Sequence, residues 1–273
     1  MEKNSRIYVA GHRGMVGSAI VRELERQGYT NIVTRTHKEL DLQQQDAVEE
    51  FFAAEKPEYV FLAAAKVGGI MGNATAKADF MWVNATLEMN VIHSAWQSGC
   101  RKLEFLGSSC IYPRMAPQPI PESALLTSEL EKTNEGYALA KISGLKLCEF
   151  LRRERGLVYH SLMPTNLYGP GDNYDIQHGH VLPTLIRKFE TAQGHVDLWG
   201  MGAAIYASQG GVMKVGDPAG ERSDVYTCGD GANGVLATGV LDADRPSQIY
   251  VYNTDFTLEG WNNHVVDTIY GGY

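Results

Sequence analysis

Cysteine is scarce in this chain and follows no pattern. The four cysteines are Cys100, Cys110, Cys148 and Cys228, and no two are spaced Cys-x-x-Cys. That excludes a zinc ribbon or a disulfide framework and fits a reducing, cytoplasmic compartment. Long apolar runs are also missing. None approaches the roughly 20 residues needed to cross a bilayer. The polar start, residues 1–5, runs straight into a strand-like segment, so neither a membrane span nor a signal peptide is expected. A basic run is lacking too: 24 Lys and Arg stand against 32 Asp and Glu, a formal charge of −8. Such a chain is a poor nucleic-acid binder, and an anionic small ligand would need cations gathered locally around it. No repeat or low-complexity segment is present. His178 and His180 lie two apart, but no carboxylate–histidine set at ligand spacing accompanies them, so no metal is expected and proton transfer is the better use.

What the chain does have is an alternation of short apolar strands and amphipathic helices. Strands are expected at residues 6–10, 31–34, 59–62, 103–106 and 159–163, with helices reaching to about 27 and over 44–55 and 79–97. That rhythm predicts an α/β fold of Rossmann type, a doubly wound parallel sheet covered on both faces. Asn84, Glu88, Asn90 and His93 read as helix surface or packing. Beyond Gly169 the rhythm breaks. A basic helix over 184–190 is expected, then an uncharged, glycine-rich stretch at 201–213 read as a mobile surface loop, then strands near 222–226 and 249–252 and helices over 230–240 and from about 259.

Between the first strand and first helix stands Gly11-His12-Arg13-Gly14-Met15-Val16-Gly17. The first glycine serves a tight turn, the second lets backbone approach a pyrophosphate, and the third lets helix and strand pack closely. The helix N-terminus then offers free N–H groups to the phosphates. An acidic residue usually follows the second strand to hold the ribose hydroxyls. Here Arg35, Thr36, His37 and Lys38 stand there, with Arg13 in the loop, which favours a 2′-phosphate and so NADP. Asp41 is close enough to oppose it. Small residues around Ala64 would let a ligand lie against backbone after the third strand.

The fourth strand ends in Leu106-Gly107-Ser108-Ser109-Cys110, at the edge where open parallel sheets bind ligands. Tyr137 and Lys141 lie four apart on one helix face, so their tips can converge. A lysine cation beside the phenol is expected to lower its pKa and make a general acid for an alkoxide, with Ser108 bonding the substrate oxygen.

Five stretches together resemble the GDP-L-fucose synthase family of the extended short-chain dehydrogenase/reductases. They are the glycine loop, residues 63–69, Leu106-Gly107-Ser108-Ser109-Cys110-Ile111-Tyr112-Pro113, Tyr137 to Lys141, and Met163-Pro164-Thr165-Asn166-Leu167-Tyr168-Gly169-Pro170. The resemblance runs from Arg6 to about Trp199. It implies NADPH as hydride donor and GDP-4-keto-6-deoxy-D-mannose as substrate. Cys110 matches the family's epimerisation base and His180, just before Val181-Leu182-Pro183, its acid. Tyr137 would protonate the C4 oxygen, Ser108 position it, and Lys141 hold the nicotinamide ribose. Cofactor contacts would come from Gly11 to Gly17, Arg35, His37, Asp41, Ala64, Leu106 to Ser109, Tyr137, Lys141, Pro164 to Leu167 and His180. Lys188, Trp199 and Arg222 would hold the GDP-sugar.

The implied organisation is an NADP-binding domain over 1–165, rejoined by about 224–255. The substrate-binding portion, over 166–223 and 256–273, is smaller and shortened at its carboxyl end. A homodimer through the two long helices is implied as well. The sequence departs from the family's pattern in a longer stretch between Trp199 and Arg222, in Ser223 to Asp230, in His37, and in Gly136, where a proline usually precedes the tyrosine. Another nucleotide-sugar epimerase or reductase, or an idle NADP-binding protein, is the alternative.

Overall fold

A computed structural model describes residues 1–177 and 179–192, together with four strands between residues 195 and 227. Five strands form a parallel sheet: β1 (Ile7–Ala10), β2 (Ile32–Val33), β3 (Tyr59–Leu62), β4 (Lys102–Leu106) and β5 (Val158–Leu162), in the order β2-β1-β3-β4-β5. All four pairings are parallel and in simple register, Ile7 opposite Tyr59 and Leu103 opposite Tyr159 among them. The connecting helices are α1 (Met15–Arg26), α2 (Gln45–Glu55), α3 (Ile70–Thr75), α4 (Lys77–Gln97) and α5 (Glu135–Arg155). This is the Rossmann-type α/β sheet that the alternation calls for.

Every residue of β1 is buried, which shows the sheet covered on both faces. Ile7 and Val9 face α1 with Leu24, Ile20 and Val21. Tyr8 and Ala10 face the larger core, which Phe52, Leu87, Val91, Leu103, Phe105, Cys148 and Tyr159 fill from α2, α4, α5 and the neighbouring strands. Tyr8 meets Phe51 and Phe52 at ring separations of 4.7 and 5.8 Å. Each such aromatic contributes on the order of 1.5–3 kcal/mol through apolar area withdrawn from water.

Strand order reverses between β1 and β3, so a crevice opens beyond their carboxyl ends. The glycine loop and residues 63–65 meet there. Sequence reading did not foresee α3, which forms where Asn73 donates to the carbonyls of Gly68 and Gly69, 2.7 and 3.2 Å away, and stabilises one short turn of helix.

The first compact unit runs to Thr184, beyond the expected limit at 165. The segment after β5 returns over the start of α1: a Cβ built on Gly171 would lie 3.9 Å from the Met15 Cα and the Ser18 Oγ. The second unit, residues 185–273, contains an antiparallel sheet β6 (His195–Gly200), β7 (Ala203–Ser208), β8 (Val212–Gly216) and β9 (Ser223–Thr227), in that order. Its strands correct the expectation of a surface loop at 201–213. Val-, Ile- and Tyr-bearing segments flanking Gly210-Gly211 are a hairpin signal that outweighs the lack of charge. Residues 223–227 pair with β8 rather than with the parallel sheet that 224–255 was expected to rejoin. The helices and strand expected after 228 lie outside the described residues.

Candidate active site

Three loops at the carboxyl ends of β1, β3 and β4 build the site. Gly11 turns with φ +83°, a left-handed backbone that favours glycine. A Cβ there would stand 2.7 Å from the Ala64 backbone nitrogen, so the loops after β1 and β3 touch through main chain. A Cβ on Gly17 would fall 2.1 Å from the Gly11 carbonyl oxygen, so α1 can start this close to β1 only with glycine at that position. The first turn of α1 holds no acidic residue, and no side chain caps its start. Its leading N–H groups and dipole therefore remain available to an anion, and the loop fits a dinucleotide pyrophosphate.

The basic cluster after β2 is less free than its sequence reads. Arg35 is ion-paired with Glu55, donates to the Thr34 carbonyl at 2.8 Å, and lies 5.3 Å from the Phe51 ring centroid. His37 is exposed, 3.6 Å from Asp41. Glu39, which sequence reading passed over, accepts the Thr36 N–H at 2.7 Å. That hydrogen bond first, and then the nearby Arg35 and Arg13 charges, hold the Glu39 carboxyl below its usual range.

Beyond β4, the chain makes one 3-10 turn at Ser109–Ile111. Ser108 starts it, its Oγ accepting the Cys110 N–H at 3.3 Å. The Ser109 N–H donates to the Pro164 carbonyl and that of Gly107 to Leu162, tying the loops after β4 and β5 together. Thr165, Asn166 and Leu167 follow, exposed, at the end of β5. Ser108 lies near enough to the Tyr137 phenol to lower its proton affinity, and the Cys110 side chain near enough to raise it. Serine, thiol and phenol therefore share one corner.

Lys141 is 2% exposed and its ammonium has three close neighbours. It donates to the Leu106 carbonyl at 2.9 Å, lies 2.8 Å from Glu88 Oε1 and sits 4.8 Å from the Phe105 ring centroid. The Tyr137 ring centroid is farther, at 5.6 Å. This corrects the expectation that the lysine lowers the phenol's pKa. Burial, then the Cys110 and Glu88 charges, push Tyr137 well above its ordinary value, against a lowering by Ser108. The phenol is held protonated, as a proton donor should be.

Glu88 and Asn84, read from sequence as surface or packing, are both fully buried. Asn84 clamps Lys66, accepting its N–H at 2.8 Å and donating to its carbonyl at 3.0 Å. Their spacing could have found them: Phe80, Asn84, Glu88 and Ile92 recur every four residues, which places two polar groups on the apolar stripe of α4. Gly136 is fixed by the same packing, since a Cβ there would lie 2.4 Å from the Lys77 carbonyl oxygen.

His180 sits just before α6 (Val181–Thr191), exposed, its carbonyl accepting the Thr184 N–H at 3.1 Å. No hydrogen bond or ion pair among the described residues joins its ring to Ser108, Cys110, Tyr137 or Lys141. Lys188 lies on α6, Trp199 is opposite Ala204 in the β6–β7 ladder, and Arg222 and His178 fall outside the described residues. Among those residues, no group of three or more His, Cys, Asp or Glu could hold a metal, and no helix is long and apolar enough to cross a membrane.

Residues 7–207 match the NAD dependent epimerase/dehydratase family. The chain belongs to that family. It is 58% identical over 208 residues to GDP-L-fucose synthase 1 of Arabidopsis thaliana, covering 75% of this chain and 64% of the relative. It is 55% identical over 201 residues to GDP-L-fucose synthase of Escherichia coli strain K12, covering 72% and 63%. A GDP-D-glycero-L-gluco-heptose synthase from Campylobacter jejuni, solved in the presence of NADPH, superposes with a TM-score of 0.66 at 42% identity, over 69% of this chain and 55% of that one. The chain thus spans less than two thirds of the length of these relatives.

Proposed function

We propose that this chain converts GDP-4-keto-6-deoxy-D-mannose to GDP-L-fucose with NADPH, inverting C3 and C5 and then reducing C4. The observation that carries this reading is Cys110 in the single turn that Ser108 starts, within electrostatic reach of the Tyr137 phenol. A plain 4-epimerase has no use for a thiol base at the reducing centre. The names of the relatives at 58% and 55% identity support it.

The C4 ketone acidifies the protons on C3 and C5. Cys110 removes each in turn, and His180 returns a proton from the opposite side. Ser108 and Tyr137 hold the C4 oxygen, and Tyr137 gives it a proton as charge develops there. Bound NADPH supplies the hydride. The glycine loop and the start of α1 would hold its pyrophosphate, Arg35, His37 and Arg13 its 2′-phosphate, and Lys141 its nicotinamide ribose. Lys188, Trp199 and Arg222 would hold the GDP moiety, in a substrate portion formed by residues after 166. A cytoplasmic homodimer through α4 and α5 completes the proposal: Trp82 on α4 and Phe150 on α5 are exposed.

A Cys110→Ser variant tests the division of labour. It is expected to keep C4 reduction and lose epimerisation, read as the configuration of the product at C3, C4 and C5 by NMR. Equal loss of both steps, or no turnover by the parent protein, counts against the reading. A parent product reduced at C4 with C3 and C5 unchanged favours a second reading, a GDP-sugar 4-reductase. That reading draws support from the exposed His180 ring, which no hydrogen bond or ion pair among the described residues joins to Ser108, Cys110, Tyr137 or Lys141.

A further inference from the structure

A fully buried carboxylate is rare unless it is paired, and Glu88 is 0% exposed within the core that α4 and α5 share. Its Oε1 lies 2.8 Å from the Lys141 ammonium. Among the described residues neither of its oxygens makes a well-directed hydrogen bond, and Oε2 faces Gly144 of α5. A Cβ on Gly144, three residues after Lys141, would stand 2.9 Å from that oxygen and 2.7 Å from the Phe105 ring. Space, burial and charge are therefore arranged around this one side chain.

We propose, on the functional reading above, that Glu88 is a positioning residue of the proton-transfer site. Its carboxylate fixes the Lys141 ammonium between itself and the Leu106 carbonyl, leaves one N–H for the cleft, and offsets the lysine's charge beside Tyr137. An ammonium has three N–H donors. Leu106 takes one and Glu88 lies within reach of a second. The third is the one free to reach a ribose hydroxyl. Burial first, then the Cys110 and Glu88 charges, push the phenol up, so Glu88 acts on Tyr137 in the direction this offset requires.

The charged and titratable groups around the pair are few. Tyr137 faces Lys141 on its own helix, Cys110 from the turn after β4 and Glu88 from α4. Glu88 in turn faces Lys141 and acts on Tyr137 and Cys148 of α5, and Glu104 of β4 also acts on Cys148.

The test is Glu88→Gln, which keeps the shape and removes the charge. With 3,5-difluorotyrosine at position 137, 19F NMR follows the phenol's titration in protein without nucleotide, whatever the enzyme turns over. The midpoint is expected to fall by about one pH unit, the size of one buried neighbouring charge. The basic limb of the reduction rate with NADPH should move the same way. A purely packing role would lower stability and leave both midpoints in place, and that result overturns the proposal. Glu88→Met, which also lacks the charge, should shift the phenol in the same direction. If neither variant folds, Glu88 belongs to the core alone and the proposal also fails. A parent protein inactive on the 4-keto sugar but showing the 19F shift would sink the functional reading and leave the Glu88–Lys141–Tyr137 linkage standing.

Discussion

Replacing Lys141 with methionine should make the protein's stability fall more steeply with rising pH than the parent's does. Methionine fills similar space, so what changes is that Glu88, 0% exposed, loses the ammonium 2.8 Å away. Leaving one member of a buried pair unpartnered costs roughly 3–5 kcal/mol. The carboxyl has an escape, because it can take up a proton. Against an unfolded glutamate at about 4.3, holding that proton costs at most ~4 kcal/mol at pH 7 and only ~1 kcal/mol at pH 5, at 1.36 kcal/mol per unit. Burial already raises Glu88, with Lys141 opposing the rise, and removing the lysine raises it further. The sign follows: a raised carboxyl contributes stability present below the unfolded pKa and lost as pH climbs through the folded one. Urea unfolding of parent and variant at pH 5, 6 and 7 would measure it. The gap should widen by about 3 kcal/mol from pH 5 to pH 7, or a melting difference growing by about 6–12 °C. Glu88→Leu added to Lys141→Met should abolish the pH dependence and recover most of the loss. An equal gap at all three pH values, or a double variant no better than the single, refutes the reasoning.

Other consequences are open to simpler assays. Tyr137→Phe removes the proton donor while keeping the ring, so kcat for reduction should drop about 10²- to 10⁴-fold with NADPH affinity unchanged; an equal loss of affinity would place the phenol in binding rather than proton transfer. Burial pushes the Cys100 and Cys148 thiols up to about 12. Both therefore contribute stability that is complete below pH ~8.5 and lost as pH rises towards 12, about 2 kcal/mol each by pH 10. A Cys100→Ala/Cys148→Ala variant should flatten that alkaline decline, and a decline of the parent's steepness in the variant would contradict it. Arg35→Ala should weaken NADPH about tenfold and NADH less than twofold, because a 2′-phosphate gives the guanidinium a charge-assisted partner. Equal loss for both nucleotides would mean that the extra phosphate is read elsewhere.

Much of this was legible in the chain. The five strands and the helices between them follow from apolar runs and period, and bounds differ by a residue or two because strand ends such as Thr34 and Met163 have no ladder partner. The glycine loop was readable because each glycine answers a distinct steric need. The spacing of Tyr137 and Lys141, and the place of Ser108 at the end of β4, were readable from the sequence, while Cys110 was singled out by the resemblance. The polar residues that escaped reading share one cause. Glu88, Asn84 and Glu55 are polar residues whose partners lie far along the chain: Lys141 for Glu88, Lys66 for Asn84, and Arg35 for Glu55. Local periodicity ranks a glutamate by its average behaviour, which is exposure. Only a count of polar groups on an otherwise apolar helix stripe marks the exception. The antiparallel strands after residue 195 were missed for a different reason: a stretch without charge and with many glycines scores as a loop unless its glycines are read as the turn of a hairpin.

The expectation for Tyr137 was wrong in sign, and the reason bears on how such sites work. Tyrosine four residues before lysine is read as an activated phenol because the pair is pictured in isolation. Inside this fold the ammonium is spent first on Leu106 and Glu88, both closer than the Tyr137 ring. The residues that set this order also hold the fold together. Phe105 is a core residue of β4 and lies 4.8 Å from the Lys141 ammonium, Gly144 makes the room that Glu88 occupies, and Cys148 packs one turn farther along α5. A substitution anywhere in that set changes packing and proton affinity together, so stability measured against pH reports on the site as directly as turnover does. For a site that must deliver a proton to an alkoxide, a phenol kept protonated by burial is the useful state, and the charges of Cys110 and Glu88 act in the same direction.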